Sequence, residues 1–194
     1  MKERPYHHGN LRNDLIEAGI QLINEDGPKS FSLRKVAARC GVSHTAPYSH
    51  FKDVDALISA MGEYVTEQFM NSLHSAVAGK EEDPGALAFI GQAYIDFFVK
   101  HPHYFQFQYH YSGLTIDLNK EQPDDYPPFA LFRSTAFRMF RKWGLPEEEH
   151  AATLIASWAL VHGIVALSAA SSIKYSGNWT DIFMATLDKK EKEL

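Results

Sequence analysis

The chain has 194 residues, 45% hydrophobic and 22% charged, with 12 Gly and 9 Pro, which excludes a disordered, collagenous or low-complexity polymer and leaves enough chain to bury a sizeable core. A single cysteine, Cys40, can build neither a disulfide framework nor a zinc finger, so a small secreted stapled fold is excluded and a reducing cytoplasm is expected. The net charge of −5 is unevenly spread: residues 1–52 hold eight Lys/Arg against five acids, a net of +3, which leaves −8 for the rest. That split fits a basic module that meets a polyanion joined to an acidic body, and it also fits ordinary scatter of surface charge.

In chain order, nearly every segment reads as helix. The polar start Met1-Lys2-Glu3-Arg4-Pro5 lacks the apolar run of an export signal. Asn10 is expected to cap a helix to about Asn24, with Leu11, Leu15, Ala18, Leu22 and Ile23 on one face and Gly27-Pro28 as its stop. Ser32 is expected to cap a second helix through Arg39, with Leu33, Val36 and Ala37 inward, and a third begins at Ser43. After Lys52-Asp53 a long helix follows to Gly79, its stripe traced by Leu57, Ile58, Met61, Tyr64, Val65, Phe69 and Leu73. Residues 81–85 read as an acidic linker. Further helices are expected at about 86–100, 103–110, 127–143, 147–172 and 178–191, and the loop 112–128 as the flexible segment. The apolar run Leu154–Ala170, broken by Ser157, His162, Gly163 and Ser168, falls short of the ~20 residues of a membrane span and is expected as a buried helix.

The junction Cys40-Gly41-Val42 carries the chemistry. A helix-turn-helix needs a glycine able to take positive φ, an apolar residue to pin the corner and a cap to start the second helix, and Gly41, Val42 and Ser43 follow in that order. The second helix would project His44, Thr45, Ala46, Tyr48 and Ser49, which offer hydrogen-bonding groups and a methyl to a major groove. Leu33, Val36, Ala37, Val42, Phe51 and Leu57 are assigned to the core, and Cys40 is read as a small apolar residue. His7-His8 and His101-Pro-His103 lack an acidic cluster to complete a metal shell, so they are read as exposed or capping histidines. No catalytic motif stands out, and no enzyme activity, cofactor or metal is expected.

The stretch Phe31-Ser-Leu-Arg-Lys-Val-Ala-Ala-Arg-Cys-Gly-Val-Ser-His-Thr-Ala-Pro-Tyr-Ser-His-Phe51, followed by Leu57, resembles the DNA-binding domain of the tetracycline-repressor (TetR) family of bacterial transcription regulators, and the resemblance extends back to Asn10. Trp158-Ala-Leu-Val-His162-Gly163 and Tyr6-His-His-Gly9 resemble the signatures of one subgroup. The resemblance implies an all-α protein: an N-terminal three-helix helix-turn-helix DNA-binding domain, residues 1–53, and a C-terminal helical effector-binding and dimerisation domain, residues 54–194. It implies that Arg34 approaches a base or phosphate, that His44, Thr45 and Ala46 face base edges, and that Tyr48 and His50 bond phosphate. With Ser32, Ser43, Ser49 and Lys52 these residues form the candidate DNA-contact set. Val54 stands where the family usually has Lys, and Pro47 where it commonly has Leu or Ile.

Aromatic residues make up 13% of the chain and crowd between 89 and 143, which suits a core and equally a mostly apolar pocket. The candidate effector-binding residues are Phe97, Tyr104, Phe107, Phe137, Trp158 and His162; Trp158 and His162, four apart, line a pocket or form a packing pair. The helix from about Glu147, apolar nearly all round and rich in Ala and Gly, implies with the last helix a subunit interface. The expected protein is thus a cytoplasmic homodimeric repressor that binds a palindromic operator in double-stranded DNA and is released by a small apolar or aromatic effector. The alternative is a DNA-binding dimer that ignores small molecules and acts architecturally or through a protein partner.

Overall fold

Capping and periodicity set the helix limits. The computed structural model describes residues 11–119 and 125–192, with the backbone alone for 188–192. Eight α-helices and no strand occur among them: α1 Leu11–Asp26, α2 Leu33–Arg39, α3 Val54–Val77, α4 Ala86–Lys100, α5 Pro102–His110, α6 Pro127–Lys142, α7 Glu147–Ala169 and α8 Trp179–Lys192. The expected cap at Asn10, the signature at Tyr6–Gly9 and the pair His7-His8 lie outside the described residues.

Packing divides the chain into two compact units. The first holds described residues 11–65 and 106–113, and the second holds 66–105 together with the described residues from Leu114 on. In the first unit α1 buries Leu15, Ile16, Ile20 and Ile23 against the core that also takes Leu33, Val36, Ala37, Phe51 and Leu57. Ser32, in extended conformation, caps α2 through its side-chain oxygen, which accepts the Lys35 N–H at 3.3 Å. Gly41, with φ 69°, ends α2: its N–H donates to the Ala38 carbonyl and that of Val42 to the Ala37 carbonyl, the paired bonds of a Schellman turn. Val42 itself is half-buried, not fully in the core.

The element after this turn departs from expectation. No α-helix starts at Ser43; residues Ala46–Ser49 form one turn of 3-10 helix. Pro47 is the reason. It has no N–H to give the Ser43 carbonyl, which accepts from Ala46 instead, so the turn tightens to three-residue spacing. Ser43 does not cap the backbone, because its Oγ sits 3.1 Å from Thr45 Oγ1. Pro47 is buried, as the apolar residue at a core-facing position must be.

In the second unit α4 is the central helix and packs on α6, α7 and α8. Its buried face holds Ile90, Ala93, Tyr94, Ile95, Phe97 and Phe98, and each fully buried large apolar side chain contributes about 1.5–3 kcal/mol relative to exposure. The segment read as a linker is anchored: Arg138 donates to the Glu81 carbonyl at 2.8 Å, and Lys142 to the Glu82 carbonyl at 3.0 Å and to its carboxylate. That hydrogen bond from Lys142 holds the Glu82 carboxyl below its ordinary range. In the loop after α5, Leu114 and Ile116 pack partly buried against the cluster of Tyr126, Phe129, Ala136, Phe140 and Leu154, and only Lys120–Asp124 lie outside the described residues. Trp143 is the C-cap residue of α6 and is 54% exposed. α7 ends at Ala169, and although it is long and apolar enough to cross a membrane, only 22% of its apolar window is buried. The expectation of a buried helix is therefore corrected for the single chain: Ala152, Ile155, Ala156, Ala159, Ala166 and Leu167 leave one apolar face exposed.

Candidate functional site

Within the first unit, the residues after Gly41 form an exposed polar surface. Arg34, Ser43, His44, Thr45, Tyr48, Ser49, His50 and Lys52 are exposed, whereas Ser32 and Ala46 are half-buried. Tyr48 is 60% exposed, a large apolar ring that the fold does not use. The bases of α2 separate by role. Lys35 donates to Asp26 Oδ2 at 2.9 Å, and Arg39 donates through two nitrogens to the two oxygens of Glu25, at 3.2 and 2.5 Å. Arg34 makes no ion pair among the described residues, so its five donors stay available. The Arg39 hydrogen bond holds the Glu25 carboxyl below its ordinary range.

Several hydroxyls are half-spent. Ser32 Oγ accepts from Lys35 but keeps its proton, while Ser49 donates to the Ala46 carbonyl at 2.7 Å and keeps its lone pairs. Ser43 Oγ and Thr45 Oγ1 are hydrogen-bonded to each other, one hydroxyl donating and the other accepting. A groove of about 470 Å³ lies beside this surface, lined among others by Arg12, His50, Phe51, Lys52, Asp55 and Glu63, with the Arg12 guanidinium 5.5 Å from the Phe51 ring centroid. Arg12 is a cation that sequence reasoning passed over; its adjacency to His50 and Lys52 exists only in the folded chain. Asp53 Oδ1 accepts the Ala56 N–H at 2.8 Å and so starts α3, with Val54 as its first residue. Burial raises the Cys40 thiol above its ordinary range, and its Sγ lies 3.5 Å from the Asp14 carbonyl.

The second unit gathers most of the candidate effector residues along a chain of rings. Phe97 stacks on Phe69 with centroids 5.1 Å apart and meets Tyr104 at 6.0 Å. Phe98 meets Phe105 at 5.5 Å, and Phe105 meets the His162 ring at 5.0 Å. His162 lies edge-on to Trp158 at 5.7 Å, and its Nδ1 is 2.9 Å from the Tyr94 hydroxyl. Trp158 continues to Phe129 at 5.3 Å, and the Arg133 guanidinium sits 4.9 Å over Phe129. Phe137 lies apart from this chain, 5.4 Å from His150, whose Nε2–H donates to the Leu145 carbonyl at 3.0 Å. Phe107 is fully buried and belongs to the first unit. His101 is the C-cap residue of α4 and stacks on Tyr104 at 5.0 Å, in keeping with its expected capping role. No three metal-ligating side chains converge among the described residues.

Among the described residues every element is helical, with a glycine corner and a 3-10 turn between α2 and α3 in the first unit and a second helical unit, the architecture of a helix-turn-helix class of regulator. Residues 15–61 match the bacterial regulatory proteins, tetR family, and residues 87–189 match the tetracyclin repressor-like C-terminal domain. The chain belongs to the TetR family of DNA-binding transcriptional regulators. It is 38% identical over 63 residues to the class A tetracycline repressor protein of transposon 1721 from Escherichia coli, a match over 32% of this chain and 28% of that protein. It is 34% identical over 71 residues to the nicotine-responsive transcriptional repressor HdnoR of Paenarthrobacter nicotinovorans, over 37% of each chain. The matches thus span about a third of these relatives. A solved structure of a protein of unknown function from Rhodococcus sp. RHA1 is similar along 99% of both chains, with 25% identity and a TM-score of 0.70.

Proposed function

We propose that this regulator is a homodimeric repressor that binds a palindromic operator and is released by a small effector with an apolar or aromatic body. The division of labour follows residues 1–53 for reading DNA and 54–194 for effector binding and dimerisation, and the protein acts in the cytoplasm, where its operator is. Arg34, His44 and Thr45, with the Ala46 methyl, read base edges; Tyr48, His50 and Lys52, with the hydroxyls of Ser32, Ser43 and Ser49, position the head on phosphates. The effector is held by the second unit, where Phe97, Tyr104, Trp158 and His162 are the candidate contacts. The observation that carries the reading is the ring chain from Phe69 to Phe129, polar only at Tyr94–His162 and Arg133, which reading DNA does not require.

A thermal-shift screen finds candidate effectors, because a ligand of the native state stabilises by mass action. A hit is then titrated calorimetrically into free and operator-bound protein at fixed salt. Linkage requires operator to lower ligand affinity by the factor by which ligand lowers operator affinity, typically ~1–3 kcal/mol of coupling. Equal ligand affinity in both titrations sinks the inducer reading and promotes the ligand-blind alternative.

A further inference from the structure

The groove of about 470 Å³ in the first unit gathers cations from two distant parts of the chain. Arg12, near the start of α1, lines it together with His50 and Lys52, which directly follow the outward surface of residues 43–49, and the buried Phe51 and Ala60 supply an apolar floor. The fold spends none of the three cationic side chains on a close ion pair. Arg12 is exposed and makes no ion pair among the described residues; its contact is with the Phe51 ring, whose centroid lies 5.5 Å from the guanidinium carbon, and that contact uses no N–H. The His50 ring lies tilted to the same Phe51 ring at 6.2 Å, so one buried ring positions both side chains. Lys52 has its side chain 82% exposed, with Nζ 3.9 Å from Asp53 Oδ2, the far limit of an ion pair, while the other oxygen of Asp53 accepts the Ala56 N–H.

The rest of the lining decides which anion fits. Asp55 and Glu63 of α3 balance Arg12 and Lys52 when His50 is neutral, so the groove does not concentrate a free anion by net charge. A duplex seated on residues 43–49 carries its own phosphates to the adjoining groove, and an anion tethered in this way is present at high effective concentration. The guanidinium fork matches two oxygens of a phosphate, and the two acids repel further phosphates along the strand, so the groove takes one phosphate and not a run of them. We propose that Arg12 is a DNA-positioning residue, its guanidinium taking one backbone phosphate of the operator in this groove together with His50 and Lys52. The assignment rests on the phosphate role given to His50 and Lys52 and adds the residue from α1 that completes their site.

The test measures binding of the full chain to the duplex recovered by selection on random sequences, by fluorescence anisotropy across a salt series. Arg12→Gln weakens binding about tenfold or more, because a charge-assisted contact is lost. It also makes the slope of log K against log salt shallower by about 0.9 for each DNA-reading head bound, with base preference unchanged. Arg12→Lys, which keeps the charge but not the fork, keeps the slope and loses part of the affinity. A role confined to covering Phe51 moves thermal stability alone, so a folded Arg12→Gln with the parent's slope overturns the proposal. If Arg12→Gln does not fold, duplexes carrying a single neutral methylphosphonate decide between the parent and Arg12→Lys: one position costs the parent more than it costs Arg12→Lys, and equal costs at every position overturn the proposal. Inorganic phosphate that binds the parent but not Arg12→Gln, with duplex binding the same in both, assigns the groove to a free anion and overturns it too. The phosphate reading of His50 and Lys52 falls separately, if His50→Ala and Lys52→Ala bind with the parent's affinity and slope; if they weaken binding and Arg12→Gln does not, only Arg12 leaves the site.

Discussion

Gly163 separates a monomeric from a dimeric role for α7. A Cβ built at Gly163 meets no atom within 4 Å in the single chain, and the residue lies among the exposed Ala159, Ala166 and Leu167. In an isolated protomer Gly163→Ala therefore gains helix propensity, up to ~1 kcal/mol, and the Cβ of Gly163→Phe meets no obstacle. In a dimer built on this face the same Phe enters a close helix contact, and overpacking costs ~1–3 kcal/mol per site. Two-fold symmetry places the substitution twice in the interface, so the dimer is weakened by ~2 kcal/mol or more and its Kd rises at least about 30-fold. Sedimentation across a concentration series measures Kd, and circular dichroism checks that the helices persist. A Gly163→Phe protein that dimerises like the parent refutes the argument and moves the interface off this face of α7.

Three further outcomes are expected. Gly91→Ala destabilises the second unit by ~1–3 kcal/mol, since its Cβ would lie 2.5 Å from the ring of buried Phe183, while Gly19→Ala is near neutral because its nearest neighbour is the flexible Met61 sulfur at 2.9 Å; urea unfolding distinguishes them, and equal effects count against the packing. Arg34→Ala changes base preference at particular positions by ~1–3 kcal/mol, whereas Lys35→Ala, whose ammonium is engaged by Asp26, leaves preference unchanged; selection on random duplexes reads both, and the same consensus from Arg34→Ala and the parent removes Arg34 from the readers. Because the folded state lowers the Glu25 pKa, its pairing with Arg39 adds stability above the unfolded-state pKa of Glu and loses it as pH falls through the folded value; Glu25→Gln is thus less stable than the parent at pH 7 and equal to it in strong acid, and a gap that persists at low pH assigns the effect elsewhere.

Local chemistry made most of the fold legible in the sequence. The 3.6-residue apolar spacing placed α1, α3 and α4, the Ser32 side chain capped α2 where its residue type required, and Gly41 took the positive φ that the corner needs. The same reasoning misread residues 43–49, where Pro47 withholds the hydrogen bond that would have made an α-helical turn. Pattern named His44, Thr45 and Tyr48 as outward-facing because a corner glycine and a buried flank fix which side is solvent. What only tertiary structure decided is how charges are spent. Lys35 and Arg39 look equivalent to Arg34 along the chain, and acids of α1, nine and 14 residues away, take the first two and leave the third. Arg133 is buried because α6 turns the Phe129 face inward. Sequence fixes backbone preferences over a few residues, since capping, turn sterics and periodicity are local forces. Which side chains meet across the core, and which apolar face α7 leaves bare, depends on contacts between segments tens of residues apart, which no local spacing encodes.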